Sequence, residues 1–249
     1  MNDTAIERRL AELAHTPVNY DPAQLDLDNP PAGWHVDDRC QPLPSEPPGE
    51  PVPDGSWEIA RRLIRGYEFA DPSLVRAHYR ADRPLEGREM LLELRALNLV
   101  SVHVGVRVVR VYDEVRERDG RQARVSGWAY RTLEGHVERG QMDWQVWKWS
   151  DTGEVQFRVH AVSRPASVSN PIVRIGFWLL RDHERAVFLD STDTRMRALT
   201  ELGLKRERVG DAVREASSQL TARRLPADDP AHEQLARLAD EAEQINQER

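Results

Sequence analysis

Apolar residues recur along this chain in two periods, and the change of period marks where the architecture changes. Over residues 2–14, Ile6, Leu10 and Leu13 recur at helical spacing; Asp3 or Thr4 is placed to cap the start, and Pro17 ends the run. Gly33 to Cys40 reads as a first strand, with Trp34 and Val36 on one face and His35 and Asp37 on the other. Cys40 is expected to be a buried, small apolar side chain. The proline-rich, acidic stretch from Gln41 to Pro53 reads as a surface loop outside the core. After Ser56, taken as an N-cap, Ile59, Ala60, Leu63, Ile64 and Tyr67 form one helical face opposite Arg61, Arg62 and Arg65. Asp71-Pro72 repeats the start signal and predicts a second helix through Tyr79.

From Arg88 the period becomes two. Met90 to Ala96 reads as a strand. Val100, Val102, Val104, Val106 and Val108 alternate with Ser101, His103, Gly105 and Arg107. Asp119-Gly120 centres a hairpin turn. Three further strands follow at Val125 to Leu133, Gln141 to Trp149 and Val155 to Val162, and successive hairpins make the sheet antiparallel. Trp128 with Tyr130, Trp144 with Val146, and Val155, Phe157 and Val159 each share a face. Asn170-Pro171 opens the longest helix, whose first turns (Ile172, Val173, Ile175, Phe177, Trp178, Leu179, Leu180) are apolar nearly all round. Arg181, Asp182, Arg185 and Asp193 are expected on its water-facing side, and Gly203 at its stop. Beyond Lys205, two amphipathic helices are broken at Pro226.

This order, a strand, two helices, a meander of strands and one long helix, is α+β: a curved antiparallel β-sheet wrapped around a long C-terminal helix, with extra N- and C-terminal helices. It looks like the helix-grip arrangement of the START-like, Bet v 1-like superfamily. The expected units are an N-terminal helical extension over 1–17, a central domain over 18–204 and a C-terminal helical appendage over 205–249.

Charge narrows the partners. The formal net charge is −7, so a general nucleic-acid binder is not expected. Cys40 is the only cysteine, which excludes an intrachain disulfide and a cysteine metal cluster. No apolar run approaches the ~20 residues that span a bilayer, and the N-terminus lacks the pattern of a signal peptide. The simplest expectation is a soluble cytoplasmic protein with no metal and no cofactor.

The stretch Gly127-Trp128-Ala129-Tyr130-Arg131-Thr132-Leu133-Glu134-Gly135-His136-Val137-Glu138-Arg139-Gly140 carries a more specific signal. It is similar to the pattern G-F-A-Y-G-T-L-P-G-H-P-E-x-G-E of a bacterial and plant family catalogued as "domain of unknown function nineteen-ninety". The likeness continues at Val162-Ser163-Arg164-Pro165 and at Gly33-Trp34-His35, and spans roughly Asn19 to Leu202. Arg131 stands where the family has glycine, Glu134 where it has proline and Gln141 where it has glutamate. The resemblance fixes the extent of a domain and implies no settled activity.

The candidate chemistry lies in and around that stretch. Glu134, His136 and Glu138 are two apart, which would suit a divalent metal if the strand ran on, but Gly135 and Gly140 favour a turn fixed by side-chain to backbone hydrogen bonds. Trp128, Tyr130, Trp144 and Phe157 on the sheet and Phe177 on the helix would bound an apolar space, with Tyr130, His136 and Arg164 at its mouth. The leading expectation is a domain binding a hydrophobic small molecule there. The alternatives are an enzyme acting through Tyr130, His136, Glu138 and Arg164, or a scaffold whose C-terminal helices recruit a partner or form a homodimer.

Overall fold

A computed structural model of the chain describes residues 3–96, 100–166 and 171–205. Seven strands form one antiparallel sheet: β1 (His35–Leu43), β2 (Val75–Tyr79), β3 (Glu89–Ala96), β4 (Val100–Arg118), β5 (Arg121–Thr132), β6 (Glu138–Trp149) and β7 (Val155–Pro165). Their order across the curled sheet is β1-β7-β6-β5-β4-β3-β2. Two helices, α2 (Ser56–Gly66) and α3 (Pro171–Leu204), pack on one face. The helix α1 (Asp3–Leu13) packs on the other, where Leu10 and Leu13 meet Leu91 and Leu133. This is the helix-grip α+β arrangement expected from the sequence.

The alternation of β4 changes phase part-way along. Val104, Val106 and Val108 face the helices, but a bulge between Val108 and Arg110 shifts the register. After it Val111 faces in and Tyr112 faces out. One extra residue reverses which parity is buried, so a single 19-residue strand follows both halves of the sheet. Asp119 (φ 54) and Gly120 (φ 73) close the next hairpin in the paired left-handed geometry that suits the strand twist.

Several expectations are corrected. Residues after Asp71 do not form a helix. The Asp71 carboxylate accepts from the Ser73 amide and hydroxyl, its carbonyl accepts from Leu74 and Val75, and the chain then enters β2 along the edge of β3. An Asp-Pro pair opens a turn as readily as a helix, and here strand pairing supplies the hydrogen bonds. Cys40 is exposed, because the inward side of β1 carries Asp37, Arg39, Gln41 and Leu43. The N-cap of α2 is Gly55, one residue before Ser56. The capping oxygen comes from the proline-rich segment, since Glu46 Oε1 accepts from the Trp57 amide at 2.8 Å.

That segment is anchored in the fold. Lys148, at 0% exposure, donates to the carbonyls of Pro47 (2.8 Å), Gly49 (2.6 Å) and Glu50 (3.1 Å), with the Glu46 carboxylate 3.7 Å away. Gly203 lies inside α3, not after it; a Cβ there would press on Ile59, so the glycine lets α2 and α3 approach closely. The expected boundary after Lys205 and the helices of 206–249 lie outside the described residues.

Candidate functional site

The helix-facing side of β5, β6 and β7 carries a layer of aromatic rings. Alternation places Trp128, Trp144 and Phe157 on this side, all fully buried. Trp144 stacks parallel to Phe157 at 6.1 Å and meets Phe69 at 4.5 Å and Phe188 of α3 edge-on at 6.3 Å. Trp128 donates its indole N–H to the Ile64 carbonyl at 2.9 Å, tying α2 to the sheet.

Tyr67 enters this layer from the end of α2. It sits at φ 59, left-handed, where its amide and that of Glu68 bond back to the carbonyls of Ile64 and Leu63. Glycine usually takes this position; a tyrosine there is held at a cost of about 1 kcal/mol or more. The strain aims the ring between Phe69, Trp128 and Trp144. The Tyr67 hydroxyl faces that of Tyr130, whose oxygen accepts from it. Burial pushes the pKa of both tyrosines well up. The Tyr130 hydroxyl donates a hydrogen bond to the thioether sulfur of Met142 at 3.2 Å.

One end of the layer is polar. Arg185 of α3 pairs with Asp37 of β1, reaches Glu138 of β6 at 3.1 Å and Ser163 of β7 at 2.8 Å, and is only 12% exposed at its side chain. Two strand positions on, Arg39 pairs with Asp190 and with Asp193 at 2.9 Å. Arg185 and Asp193 therefore face the sheet, which corrects the expectation that they meet water. The apolar stripe of α3 turns inward together with these charges because β1 presents opposite charges to them.

His136 is buried beside Glu138 and accepts the Glu138 amide on Nδ1 at 2.9 Å, the side-chain to backbone bond expected of a turn-fixing residue. Burial lowers its pKa to about 4, so the ring is neutral near pH 7. Glu134 is exposed and does not converge with it. Gly135 has φ +85 as its turn requires. Gly140 serves differently, since a Cβ there would overlap the Val162 carbonyl of the neighbouring strand.

The sequence-derived candidates are thus divided. Trp128, Tyr130, Trp144 and Phe157 share one layer, and His136 lies at the turn that leads into β6. Arg164 alternates with Ser163 and stacks on Trp34 at 4.7 Å on the opposite face, so it neither pairs with Glu138 nor joins Tyr130 and His136. Phe177 lies in the part of α3 whose side chains are outside the described residues. Sequence reasoning missed Tyr67, Asp37 and Arg185. The available signal was the charge order along β1, negative then positive, matched by positive then negative along α3.

No helix among the described residues is long and apolar enough to cross a membrane. No curated protein matches the chain significantly. Among solved structures, the chain is similar to ginseng major latex-like protein 151 from Panax ginseng, at 12% identity over 67% of this chain and 97% of that one, with a TM-score of 0.40. It is similar to Ara h 8.0201 at 7% identity over 66% and 98% of the two chains, TM-score 0.37. A hypothetical protein from Helicobacter pylori matches at 11% identity over 72% and 93%, TM-score 0.37. The model of one protein family spans residues 19–187, the region that holds the whole sheet and the first half of the long helix, and the chain belongs to that family, described as Domain of unknown function (DUF1990).

Proposed function

We propose that this domain binds a hydrophobic small molecule between the helix side of its sheet and the long helix. The observation that supports the reading is the composition of that side. Tyr67, Phe69, Trp128, Trp144 and Phe157 make one continuous aromatic layer, and a few convergent polar groups (Tyr130, Glu138, Arg185) sit at one end. Small-molecule sites are built this way, mostly apolar with a few placed polar groups that orient the ligand. Phe177 would join the lining from the helix. In the same reading the protein works in the cytoplasm without nucleic acid as partner, and residues 205–249 offer the surface for a second copy.

Two measurements on the purified full chain test the proposal. Native mass spectrometry should reveal a copurifying apolar molecule, or phenylnaphthylamine should bind saturably with a blue-shifted emission. A protein that carries no small molecule and gives only linear, non-saturating dye fluorescence would refute it.

A further inference from the structure

The loop between β2 and β3 bounds a cleft away from the aromatic layer. Residues 80–88 are fixed in place. Leu85 is buried, and Gly87 turns the chain at φ +76. The Gly87 amide donates to the Val108 carbonyl at 3.0 Å, and the Val108 amide donates back to the Arg88 carbonyl at 2.9 Å. The end of α1 lies against this loop, and the two enclose a space of about 320 Å³. That volume falls within the range of small-molecule sites. The α1 wall is apolar, made of Leu10, Ala11 and Ala14, and Pro84 adds to it from the loop.

The loop wall is charged. Arg80, Arg83 and Arg88 line it with Glu86 and Glu89. Glu7 pairs with Arg80 at 2.7 Å and Arg107 with Glu89 at 3.1 Å, so those two charges are met. Arg88 donates to the carbonyls of Pro84 at 3.3 Å and Arg83 at 2.6 Å, and its guanidinium lies over the Tyr79 ring at 4.8 Å. Carbonyls and a ring orient that guanidinium without neutralising it. Arg65 and Asp82 also act on Arg88, with opposite signs. The last carbonyls of α1 would repel an anion, but Arg107 occupies those of Leu13, Ala14 and Thr16. Three cations against two carboxylates in the lining leave one positive charge, and Glu7 and Arg107 outside it cancel.

We propose that this cleft is a second binding site, separate from the one between sheet and long helix, and that it takes a small apolar molecule carrying one carboxylate. The apolar body lies against Leu10, Ala11 and Ala14, and the carboxylate accepts from Arg83 and Arg88. A planar guanidinium matches the two oxygens of a carboxylate, and one already held in place loses little freedom on binding. The single excess positive charge favours a monoanion over a neutral molecule or a dianion.

The test titrates the full chain, with labelled alanine methyls, with naphthalene-2-carboxylate, its neutral carboxamide and 2-naphthyl phosphate, followed by NMR. The carboxylate should shift the Ala11 and Ala14 methyls saturably. It should bind about three- to tenfold more tightly than the carboxamide, the ratio that one charge-assisted hydrogen bond in a half-open cleft supports. Arg83→Gln should weaken the carboxylate by about the same factor and leave the carboxamide within about twofold. Arg83 and Ala11 are both exposed, so neither substitution removes a core contact. Ala11→Leu should fill the cleft and abolish the shift at Ala14 with every probe. Equal affinity for carboxylate and carboxamide, tightest binding by the phosphate, or carboxylate affinity undiminished in both variants would overturn the proposal. So would shifts confined to residues of the aromatic layer, an outcome that would leave the binding function proposed above standing. Absence of any shift at Ala11 and Ala14 with all three probes would overturn it as well.

Discussion

Replacing Lys148 by methionine should detach the proline-rich segment from the fold. The ammonium makes three charge-assisted bonds to backbone carbonyls and faces the buried Glu46 carboxylate. Such bonds contribute roughly 1.5–3 kcal/mol each, hence on the order of 5–9 kcal/mol gross. Methionine keeps the packing of the stem and releases the ammonium's desolvation penalty of several kcal/mol. Pro47, Gly49 and Glu50 are exposed, so their carbonyls can turn to water, whereas Glu46 stays buried without its counter-ion. Removing one member of a buried ionic group costs about 3–5 kcal/mol, and the solvent-facing loop places this case near about 3 kcal/mol. Urea denaturation should show that loss as a lower midpoint at nearly constant slope. Amide exchange should accelerate over residues 44–55 and at Trp57. Adding Glu46→Gln should recover part of the loss, because the amide oxygen still serves the Trp57 N–H without a charge. A Lys148→Met protein within about 1 kcal/mol of wild type, with unchanged exchange in the loop, would refute the reasoning.

Three further outcomes are expected. The folded-state pKa of His136, about 4, lies below the ordinary 6.5, so its contribution is fully present above pH 6.5 and is lost as pH falls towards 4; wild type should lose about 3 kcal/mol more than His136→Asn across that window, measured by urea titration at each pH. Gly140→Ala should destabilise by about 3 kcal/mol through overlap with the Val162 carbonyl, and Gly135→Val by roughly 1–3 kcal/mol through its positive φ, both read from denaturation midpoints. Arg107 donates to the carbonyls of Leu13, Ala14 and Thr16, so Arg107→Ala should fray the end of α1 by about 1–2 kcal/mol, seen as faster exchange there with the sheet unchanged.

The sheet was legible because its strands alternate and its hairpins carry glycine, both local signals. Alternation alone puts Trp128, Trp144 and Phe157 in one layer, and the structure places them together. In the sequence Tyr67 closes an apolar helical face; its left-handed backbone depends on the chain reversal after α2, which a helical pattern does not encode. Arg164 lies on β7, the strand paired with that of Glu138, but alternation turns it to the opposite face, and Ser163 is the residue there that faces the helix. Asp37 and Arg185 were hidden for another reason. A charged residue on an edge strand or a long helix ordinarily faces water, and only the meeting of two elements 148 positions apart makes these two a buried pair. The same holds for Lys148 and Glu46, whose burial is a property of the loop crossing the end of the sheet.

The charges that join β1 to α3 give the two flanks of the grip different sensitivities. On the α2 flank Leu63, Ile64 and Trp128 seal the contact with apolar area, which salt hardly weakens. On the β1 flank the contact is electrostatic, and its rungs are unequal. Arg39 and Asp190 are 36% and 66% exposed, within reach of counter-ions whose screening length falls from ~8 Å at physiological ionic strength to ~3 Å at 1 M, whereas Asp193, the second partner of Arg39, is 13% exposed. Arg185 and Asp37, at 12% and 15%, are shielded. Rising ionic strength therefore weakens the Arg39–Asp190 contact, while the Arg39–Asp193 contact and the inner rung hold.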